Sequence, residues 1–303
     1  MQTRFETRLA NLLSLRVNYT LSKTIDNASE IFSTFGGGQT VAHSQNPFNT
    51  TRGERGLSAF HQKHVLTSDF IYELPFFRSQ QGFVGRLLGG YQLSGIVRLG
   101  SGRPYTPLQI FATYDPGWEN SFIGAGGLRP YVGNPSAPAS TVAFGSTAAG
   151  LLFGYSVPAG QFVVFDTSKA GSTGSVVSAS QAMQQARLIY NDFGLFTQFG
   201  VPLNLLEAFQ MFKTPYSSLG RNTFTGQPFY LVNLAVIKQT RLTERTKLEF
   251  RAEAANLLNR RNFGVPDPIL EDAYTGFTVG SYQNPGFNAG GSRTLRFGMR
   301  FIF

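Results

Sequence analysis

The last ten residues of the chain alternate between two kinds of side chain. Every second position from residue 295 onward is large and apolar, namely Leu295, Phe297, Met299, Phe301 and Phe303. The positions between them include two arginines, Arg296 and Arg300. Side chains of a β-strand point alternately to opposite faces, so this segment predicts a strand with one apolar face and one charged face.

Six other segments repeat this two-residue period. They lie within residues 2–9, 11–23, 64–75, 90–102, 229–242 and 244–258. Segments of about ten residues match the roughly 9–11 residues that a tilted strand needs to cross a bilayer, whereas ordinary strands hold about 5–6. The seven segments therefore favour a membrane β-barrel, although a soluble β-sandwich would also have two-faced strands.

The connections between these segments separate the two alternatives, because they alternate between short and long. The short or moderate ones are residues 10–12, 75–89 and 242–246, and the long ones are about 23–63, 101–228 and 259–292. Outer-membrane barrels have short periplasmic turns and long outer loops, and a soluble sandwich has no reason for this asymmetry. We therefore predict an all-β fold over residues 1–303: a partial antiparallel transmembrane β-barrel of about seven strands with long extracellular loops.

The composition agrees with an all-β chain and disfavours several other classes. Charged residues make up only 14% of the chain, against roughly 25% in ordinary soluble domains, while the chain holds 29 Phe and 12 Tyr. Cysteine is absent, which excludes disulfides and thiolate chemistry, and three histidines disfavour a histidine-rich metal site. The net charge of +9 comes from basic residues that are scattered singly, so we expect no nucleic-acid partner.

Two histidines lie just before a strand that carries a serine and an aspartate. A hydrolase would need a histidine beside such a partner, and His61 and His64 precede Ser68 and Asp69 here. Ser68 and Asp69 are adjacent on the predicted strand, so their side chains point to opposite faces. We therefore expect no active site, no cofactor and no metal, and we predict that the chain is not an enzyme.

The longest connection, residues 101–228, is too long to lack structure of its own. The sequence ASQAMQQARLIY at residues 179–190 indicates a short helix. The segments QFVVFD at 161–166 and FGLFTQFG at 193–200 are candidates for an extra hairpin, which would preserve the alternation of strand directions in the barrel.

Three segments carry a resemblance to one family of outer-membrane proteins. They are HVLTSDFIYELPF, LLGGYQLSGIV with the SGRPYT that follows it, and LGRNTFTGQPFYLVNLAVIKQTRLTERTKLEFRAEAANLLNRRNFGVPD. The chain resembles the C-terminal barrel of TonB-dependent receptor-like proteins. It is most similar to the Oar-like branch, in which a carboxypeptidase-regulatory-like domain precedes the plug. The resemblance covers nearly the whole chain and is weakest across residues 111–212.

The resemblance implies a bacterial outer-membrane transporter or receptor for a bulky nutrient or macromolecule. It would contact TonB only through an N-terminal region that this sequence lacks. Such receptors have a plug and a barrel of about 22 strands. We therefore expect a C-terminal fragment, or a gene model begun at an internal methionine, that is not competent for transport alone. The alternative is a structural or adhesive barrel that presents surface loops. Oligosaccharide, siderophore, peptide and secreted protein are all open as the ligand.

The resemblance also implies an assembly signal in the last strand. In the family this signal is a polar residue, a glycine two positions later, and aromatic or apolar residues at the antepenultimate and last positions. It maps onto Arg296, Gly298, Phe301 and Phe303, and it implies recognition by the barrel assembly machinery. The alternation itself predicts that the apolar set contacts lipid and that the arginines face the wet lumen, since a charge facing lipid at mid-bilayer costs about 2–4 kcal/mol.

Overall fold

The computed structural model describes residues 1–27, 45, 54–109, 128–168, 173–266, 268–271 and 291–303. Parts of the predicted loops 23–63, 101–228 and 259–292 therefore lie outside the described residues. None of the helices in the described residues is long and apolar enough to span a membrane.

The described residues contain sixteen strands and six short helices. The strands in chain order are β1 (Gln2–Leu9), β2 (Leu13–Leu21), β3 (Ile25–Asp26), β4 (Gly56–Leu57), β5 (His64–Glu73), β6 (Tyr91–Gly100), β7 (Pro104–Tyr105), β8 (Tyr131–Val132), β9 (Thr141–Gly145), β10 (Gln161–Asp166), β11 (Ser175–Ser178), β12 (Leu188–Ile189), β13 (Phe224–Thr225), β14 (Phe229–Arg241), β15 (Lys247–Ala255) and β16 (Thr294–Ile302). The helices are α1 (Gly82–Leu88), α2 (Ser146–Phe153), α3 (Ala179–Gln185), α4 (Phe193–Phe199), a 3-10 turn (Leu203–Leu205) and α5 (Glu207–Phe212).

Seven of these strands form one sheet, in the order β1-β2-β5-β6-β14-β15-β16. Every neighbouring pair in it is antiparallel. All seven alternating segments are strands of this sheet, so the predicted seven-stranded antiparallel arrangement is confirmed. Within the described residues the sheet is open, because β1 and β16 each pair with a strand on one side only.

The register of the sheet places the apolar sets of all seven strands on one face. One row across the sheet contains Phe5, Val17, Ser68, Val97 and Val232. The next row, on the opposite face, contains Glu6, Arg16, Asp69, Ile96 and Asn233. We call the two faces the apolar face and the charged face. A slip of one residue would move a whole apolar set to the charged face, so the two-sided pattern fixes the register.

The connections lie alternately at the two ends of the sheet. Residues 10–12, 74–90 and 242–246 join strands at one end, and residues 22–63, 101–228 and 256–293 join them at the other. The predicted asymmetry is therefore present, and we name these ends the short-connection end and the long-connection end. The tight turn after β1 uses left-handed backbone, with φ of 48° at Ala10 and 56° at Asn11, which matches the twist of a hairpin.

The longest connection folds around a core of its own, and we call the described part of residues 101–228 the cap. Its main sheet has the order β11-β10-β9-β12-β8 and includes one parallel pair, β9 with β12. Helices α2 and α5 contact β9, and α3 contacts β10. The core of the cap includes the buried residues Phe144, Val163, Leu188, Tyr190 and Leu195.

One of the two expectations for elements of the cap is confirmed, and the other is wrong. The segment 179–190 contains α3, which starts with a capping box between Ser178 and Gln181, and the segment QFVVFD is strand β10. The extra hairpin is wrong, because FGLFTQFG forms helix α4. Its aromatic rings meet at helical spacing, with the ring centroids of Phe193 and Phe196 5.9 Å apart, while Leu195 is buried in the core of the cap.

Candidate functional site

Ion pairs between charged side chains lie on the charged face of the sheet, at β1–β2 and on β15. Glu6 accepts hydrogen bonds from Arg4 at 2.6 Å and from Arg16 at 2.5 Å, and Arg251 pairs with Glu253. The five side chains are 34% to 61% exposed. Each exposed pair therefore contributes about 1 kcal/mol or less to folding. Their main effect is to make this face hydrated and of mixed charge.

A hollow of about 510 Å³ lies against the sheet. Its lining includes polar and charged side chains from β5, β6, β14, β15 and β16, among them Asp69, Ser94, Asn233, Arg251 and Arg296. The register of the sheet places these five residues on the charged face. The lining also includes apolar side chains, among them Ile71, Ile96 and Ala235, so the hollow is a surface of mixed polarity.

One buried and one partly buried ion pair fix the cap to the neighbouring long connection. Arg129 of the cap donates from Nη2 to Glu54 Oε2 at 2.5 Å, and both side chains are at most 3% exposed. Arg221 pairs with Asp26 and donates from Nε to the Glu54 carbonyl oxygen at 3.0 Å. Burial lowers the pKa of the Arg129 guanidinium, and the Glu54 carboxylate opposes that shift. Since Asp26 and Glu54 belong to residues 22–63, two long connections are locked together.

The cap also contacts the third long connection, residues 256–293. The backbone N–H of Leu270 donates to the carbonyl oxygen of Leu108 at 3.0 Å. The Tyr190 hydroxyl donates to Glu271 Oε1 at 2.8 Å, and the Leu270 side chain is buried in the core of the cap. In the described residues, the three long connections therefore form one packed unit.

Asn191 lies at the polar centre of this unit and is fully buried. Its backbone exchanges two hydrogen bonds of 3.0 Å with the side-chain amide of Gln109. Its own side chain donates to the carbonyl oxygen of Arg129 at 3.2 Å and to that of Pro215 at 2.8 Å. The side-chain amides of Gln109 and Asn191 therefore form hydrogen bonds with buried backbone groups that have no partner on a neighbouring strand. These bonds remove the free-energy cost of burying those backbone groups.

Two acidic side chains cap helices that have no side-chain cap at their own N-terminal residue. Asp192 accepts hydrogen bonds of 2.8 Å from the backbone N–H groups of Ala208 and Phe209 at the start of α5. Glu207 accepts one of 3.4 Å from the backbone N–H of Thr147 at the start of α2, and a further bond from the hydroxyl of Ser146. Burial raises the pKa of Asp192 to about 7; the two N–H bonds oppose the shift and the charge of Glu207 adds to it.

A comparison with known protein families decides what kind of domain this is. The family model described as "Outer membrane beta barrel domain" matches residues 1–296. This chain belongs to the outer membrane beta barrel domain family. It is therefore a protein of the bacterial outer membrane, and its seven-stranded sheet is part of a transmembrane barrel. No curated protein and no solved structure matches the chain.

Membership in a barrel family explains why the apolar face is bare. On β16, Phe297 is 80% exposed, and Met299 beside it is also exposed. Phe250 on β15 and Phe5 on β1 are exposed in the same way. A continuous apolar surface of this kind marks a contact with a membrane or a partner, and in an outer-membrane barrel the apolar band faces outward while the interior is polar.

The barrel domain carries the four residues of the predicted assembly signal along and just after β16. Arg296 lies opposite Glu253 on the charged face, and Gly298 shares that face. Phe301 lies on the apolar face, and Phe303 follows the strand and is 93% exposed. The ring centroids of the two phenylalanines are 6.2 Å apart. All four residues are exposed in this open sheet. Their recognition by the assembly machinery stays a prediction.

The histidines singled out from the sequence bond elsewhere. His61 Nδ1 accepts a backbone N–H bond at 3.2 Å, and His64 Nδ1 shares a hydrogen bond of 2.8 Å with the Tyr19 hydroxyl. Ser68 and Asp69 lie on opposite faces, as expected. His64 and Ser68 share one face but are four residues apart, about 13 Å along a strand, which is too far for a hydrogen bond.

The described part of the barrel domain contains no group of three or more His, Asp or Glu side chains arranged to hold a metal ion. The residues that sequence reasoning missed are the buried polar ones of the cap, above all Arg129, Asn191 and Arg221. Only Arg129 carries a local signal, since it lies directly between apolar neighbours in LRPY, whereas Asn191 precedes an aspartate and Arg221 lies between a glycine and an asparagine. Asp26 and Arg221 are 195 positions apart, and no local pattern records such a contact.

Proposed function

We propose that this barrel domain belongs to a TonB-dependent outer-membrane receptor or transporter whose cap captures a bulky nutrient or macromolecule. The observation that carries the proposal is the union of three long connections into one unit, held by the buried pair Arg129–Glu54 and the partly buried pair Arg221–Asp26. Binding residues concentrate on loops that a rigid scaffold holds in place. Loops locked by buried ion pairs form such a binding platform.

The proposal places the long-connection end outside the cell and the short-connection end in the periplasm, since short turns face the periplasm in outer-membrane barrels. Strand β16 then runs from outside to inside, and Phe303 lies on the periplasmic side. The apolar face contacts outer-membrane lipid. The last strand, through Arg296, Gly298, Phe301 and Phe303, is the proposed contact with the barrel assembly machinery.

The charged face lines the lumen in this proposal, and the hollow beside Asp69 and Arg251 forms part of the ligand path. An unpaired strand edge in hydrocarbon leaves backbone groups without partners, each at a cost of several kcal/mol. We therefore propose that β1 and β16 pair with further strands of a larger barrel. We propose that neither the sheet nor the cap makes the contact with TonB, and no catalytic step is assigned to them.

The second candidate is a structural or adhesive barrel that presents the cap to other surfaces. It is favoured by exposed apolar side chains on the cap, namely Leu151, Phe196, Phe199 and Leu205. Exposed apolar residues of this kind often mark contact with another macromolecule. The two candidates differ in whether a solute enters the cell.

Uptake by the native bacterium separates the two candidates. Strains with the full-length protein, without it, or without TonB are given fluorescently labelled siderophores, oligosaccharides and peptides. The receptor proposal expects at least one probe whose accumulation falls to background in both deletion strains and returns on complementation. If no probe depends on TonB, while attachment of the cells to surfaces depends on the protein, the adhesive candidate replaces the first.

A pair of variants tests the role of the locked cap. Arg221→Ala removes the ion pair with Asp26, so the proposal expects uptake of the same probe to fall while the amount of folded barrel stays constant. Arg245→Ala, an exposed arginine in the tight turn at the opposite end, is the matched control. Equal uptake by the two variants would show that the cap is not the capture surface.

A further inference from the structure

The connection between β5 and β6 exposes six large apolar side chains at the short-connection end. They are Phe76, Phe77, Phe83, Val84, Leu87 and Leu88. Phe83 on α1 is 81% exposed. Four of them lie on α1, namely Phe83, Val84, Leu87 and Leu88. At about 100° per residue these four fall within an arc of about 140° around the helix axis, so α1 presents one continuous apolar face. Gly85, the buried residue of the helix, lies outside that arc.

Lys238 shows on which side of the sheet this helix lies. Its register with Tyr91 and Phe250 places it on the apolar face. Its ammonium donates to the carbonyl oxygens of Arg86, at 2.7 Å, and of Gly89, at the end of α1. It also lies 4.6 Å from the centroid of the Tyr91 ring. Helix α1 therefore ends beside the rim of the apolar face, and its side chains extend the surface that a barrel turns to lipid.

Gln80 clasps this connection to the sheet. Its side-chain amide donates to the Gln239 carbonyl oxygen at 2.8 Å and accepts from the Arg241 N–H at 2.9 Å. The amide thus continues the hydrogen-bond ladder of β14 beyond the start of β6. Gly90 makes room for it, since a Cβ there would lie 2.1 Å from Gln80 Nε2 and the backbone has a φ of +75°. This clasp fixes the direction in which the apolar face of α1 points.

We propose that α1 is an interfacial lipid anchor whose apolar face inserts into the inner leaflet of the outer membrane. The inference rests on the proposed function only for its leaflet, because the orientation places this end in the periplasm. The occupant is phospholipid, since the apolar face of α1 is continuous with the lipid-facing side of the barrel. Arg86, an exposed residue in the last turn of α1, flanks that face, where phosphate headgroups lie.

The size of the helix fits this position. Its seven residues span only about 10 Å, so α1 lies along the interface rather than across the bilayer. Lys238 fits the same depth, because a lysine on a lipid-facing surface extends its stem toward the headgroups. Here the carbonyl oxygens at the end of α1 receive its ammonium. The anchor sets the depth at which this side of the barrel sits in the membrane.

A spin label at position 83 measures the proposed lipid contact directly. The sequence has no cysteine, so Phe83→Cys in the full-length protein, with any cysteine outside this sequence replaced, gives one labelled site. The protein is reconstituted into vesicles of phosphatidylethanolamine and phosphatidylglycerol. The matched control is Ser79→Cys, an exposed residue of the same connection that lines a polar hollow with Gln92 and Gln239. Heat-modifiable migration shows which variants are folded.

The proposal expects molecular oxygen, which dissolves in lipid, to relax the label at 83 more strongly than a water-soluble nickel chelate does. The order should reverse at 79. Leu87→Cys repeats the measurement on the same face in case Phe83→Cys does not fold. Equal relaxation by the nickel chelate at 83, 87 and 79 would overturn the anchor, and so would protection of 83 in cells but not in vesicles, which would indicate a protein partner.

The leaflet is tested separately from the lipid contact. An impermeant maleimide added to intact cells should leave Ser79→Cys unmodified, and modification of this residue from outside would overturn the inner-leaflet assignment. None of these measurements involves uptake or TonB. A failure of the anchor proposal can therefore be distinguished from a failure of the receptor proposal.

Discussion

The seven-stranded sheet and the cap bury their apolar residues in opposite ways. The sheet turns Phe297 and Phe250 outward and keeps its charges on the other face. The cap places Phe144 and Phe162 inside, each in a cluster of other buried apolar residues. A bilayer supplies the apolar environment for the sheet, so each strand needs only the alternation. The cap has no bilayer around it to accept its apolar side chains. Its stability therefore depends on contacts between residues that are distant in sequence.

The ion pairs of the two regions show the same difference. Arg4 and Glu6 on the sheet are each about half exposed, and water screens such a pair. Arg129 and Glu54 at the cap junction are almost completely buried. Removing one member of a buried pair leaves an uncompensated charge, which costs far more than the loss of a surface pair. Identical chemistry therefore has different consequences in the two regions.

The largest effect is expected from Glu54→Ala, which leaves the buried Arg129 without this carboxylate. We expect the cap to lose about 3–5 kcal/mol of stability, measured as faster protease cleavage of the long connections on intact cells. The matched control is Glu73→Ala, which removes an exposed pair with Arg78 and should cost about 1 kcal/mol or less. Equal protease resistance of the two variants would remove the distinction between the regions.

The next effect belongs to the apolar face of the sheet. Phe250→Arg and Leu234→Arg should impair membrane assembly, because a charge facing lipid costs about 2–4 kcal/mol near mid-bilayer. Arg251→Leu, on the charged face beside Phe250, should be milder. The measurement is the heat-modifiable fraction of the full-length barrel. Similar losses from both faces would contradict the assignment of lipid and lumen.

The stability of the cap should depend on pH through Asp192. Its pKa is raised from 3.8 to about 7 in the folded state, so between these values the folded protein holds a proton that the unfolded chain releases. The stabilising contribution is complete below about pH 3.8 and is lost as the pH rises to about 7. Asp192→Asn should flatten the decline in protease resistance of the cap over this range. An unchanged slope in the variant would argue against a raised pKa.

The smallest effect is expected from Ser178→Ala. This change removes the side-chain half of the capping box at the start of α3 and should cost about 1 kcal/mol. The loss of stability is measured as a lower temperature of unfolding of the cap, and protease sensitivity is the signal that reports this unfolding. Ser175→Ala, at an exposed position of β11, is the control. A greater loss from Ser175→Ala would show that the capping box does not stabilise α3.

The sequence by itself determined the sheet: its seven strands, their two faces and the alternation of short and long connections. This was possible because a strand in a bilayer needs a period of two and a sufficient length, and both are local properties. Phe297 and Arg296 reveal their faces from their neighbours alone. The likeness to TonB-dependent receptors rests on sequence motifs, and the family match identifies an outer-membrane barrel domain.

Only the tertiary structure decided how the cap is joined to residues 22–63 and which secondary structure residues 193–199 adopt. These residues have the composition of a strand, yet they form α4, because Leu195 is buried in the core and the Phe193 ring lies 5.2 Å from that of Phe209. The pair between Asp26 and Arg221 joins residues 195 positions apart. The free energy of such contacts comes from partners that are distant in sequence, so it leaves no periodic pattern in the segment itself.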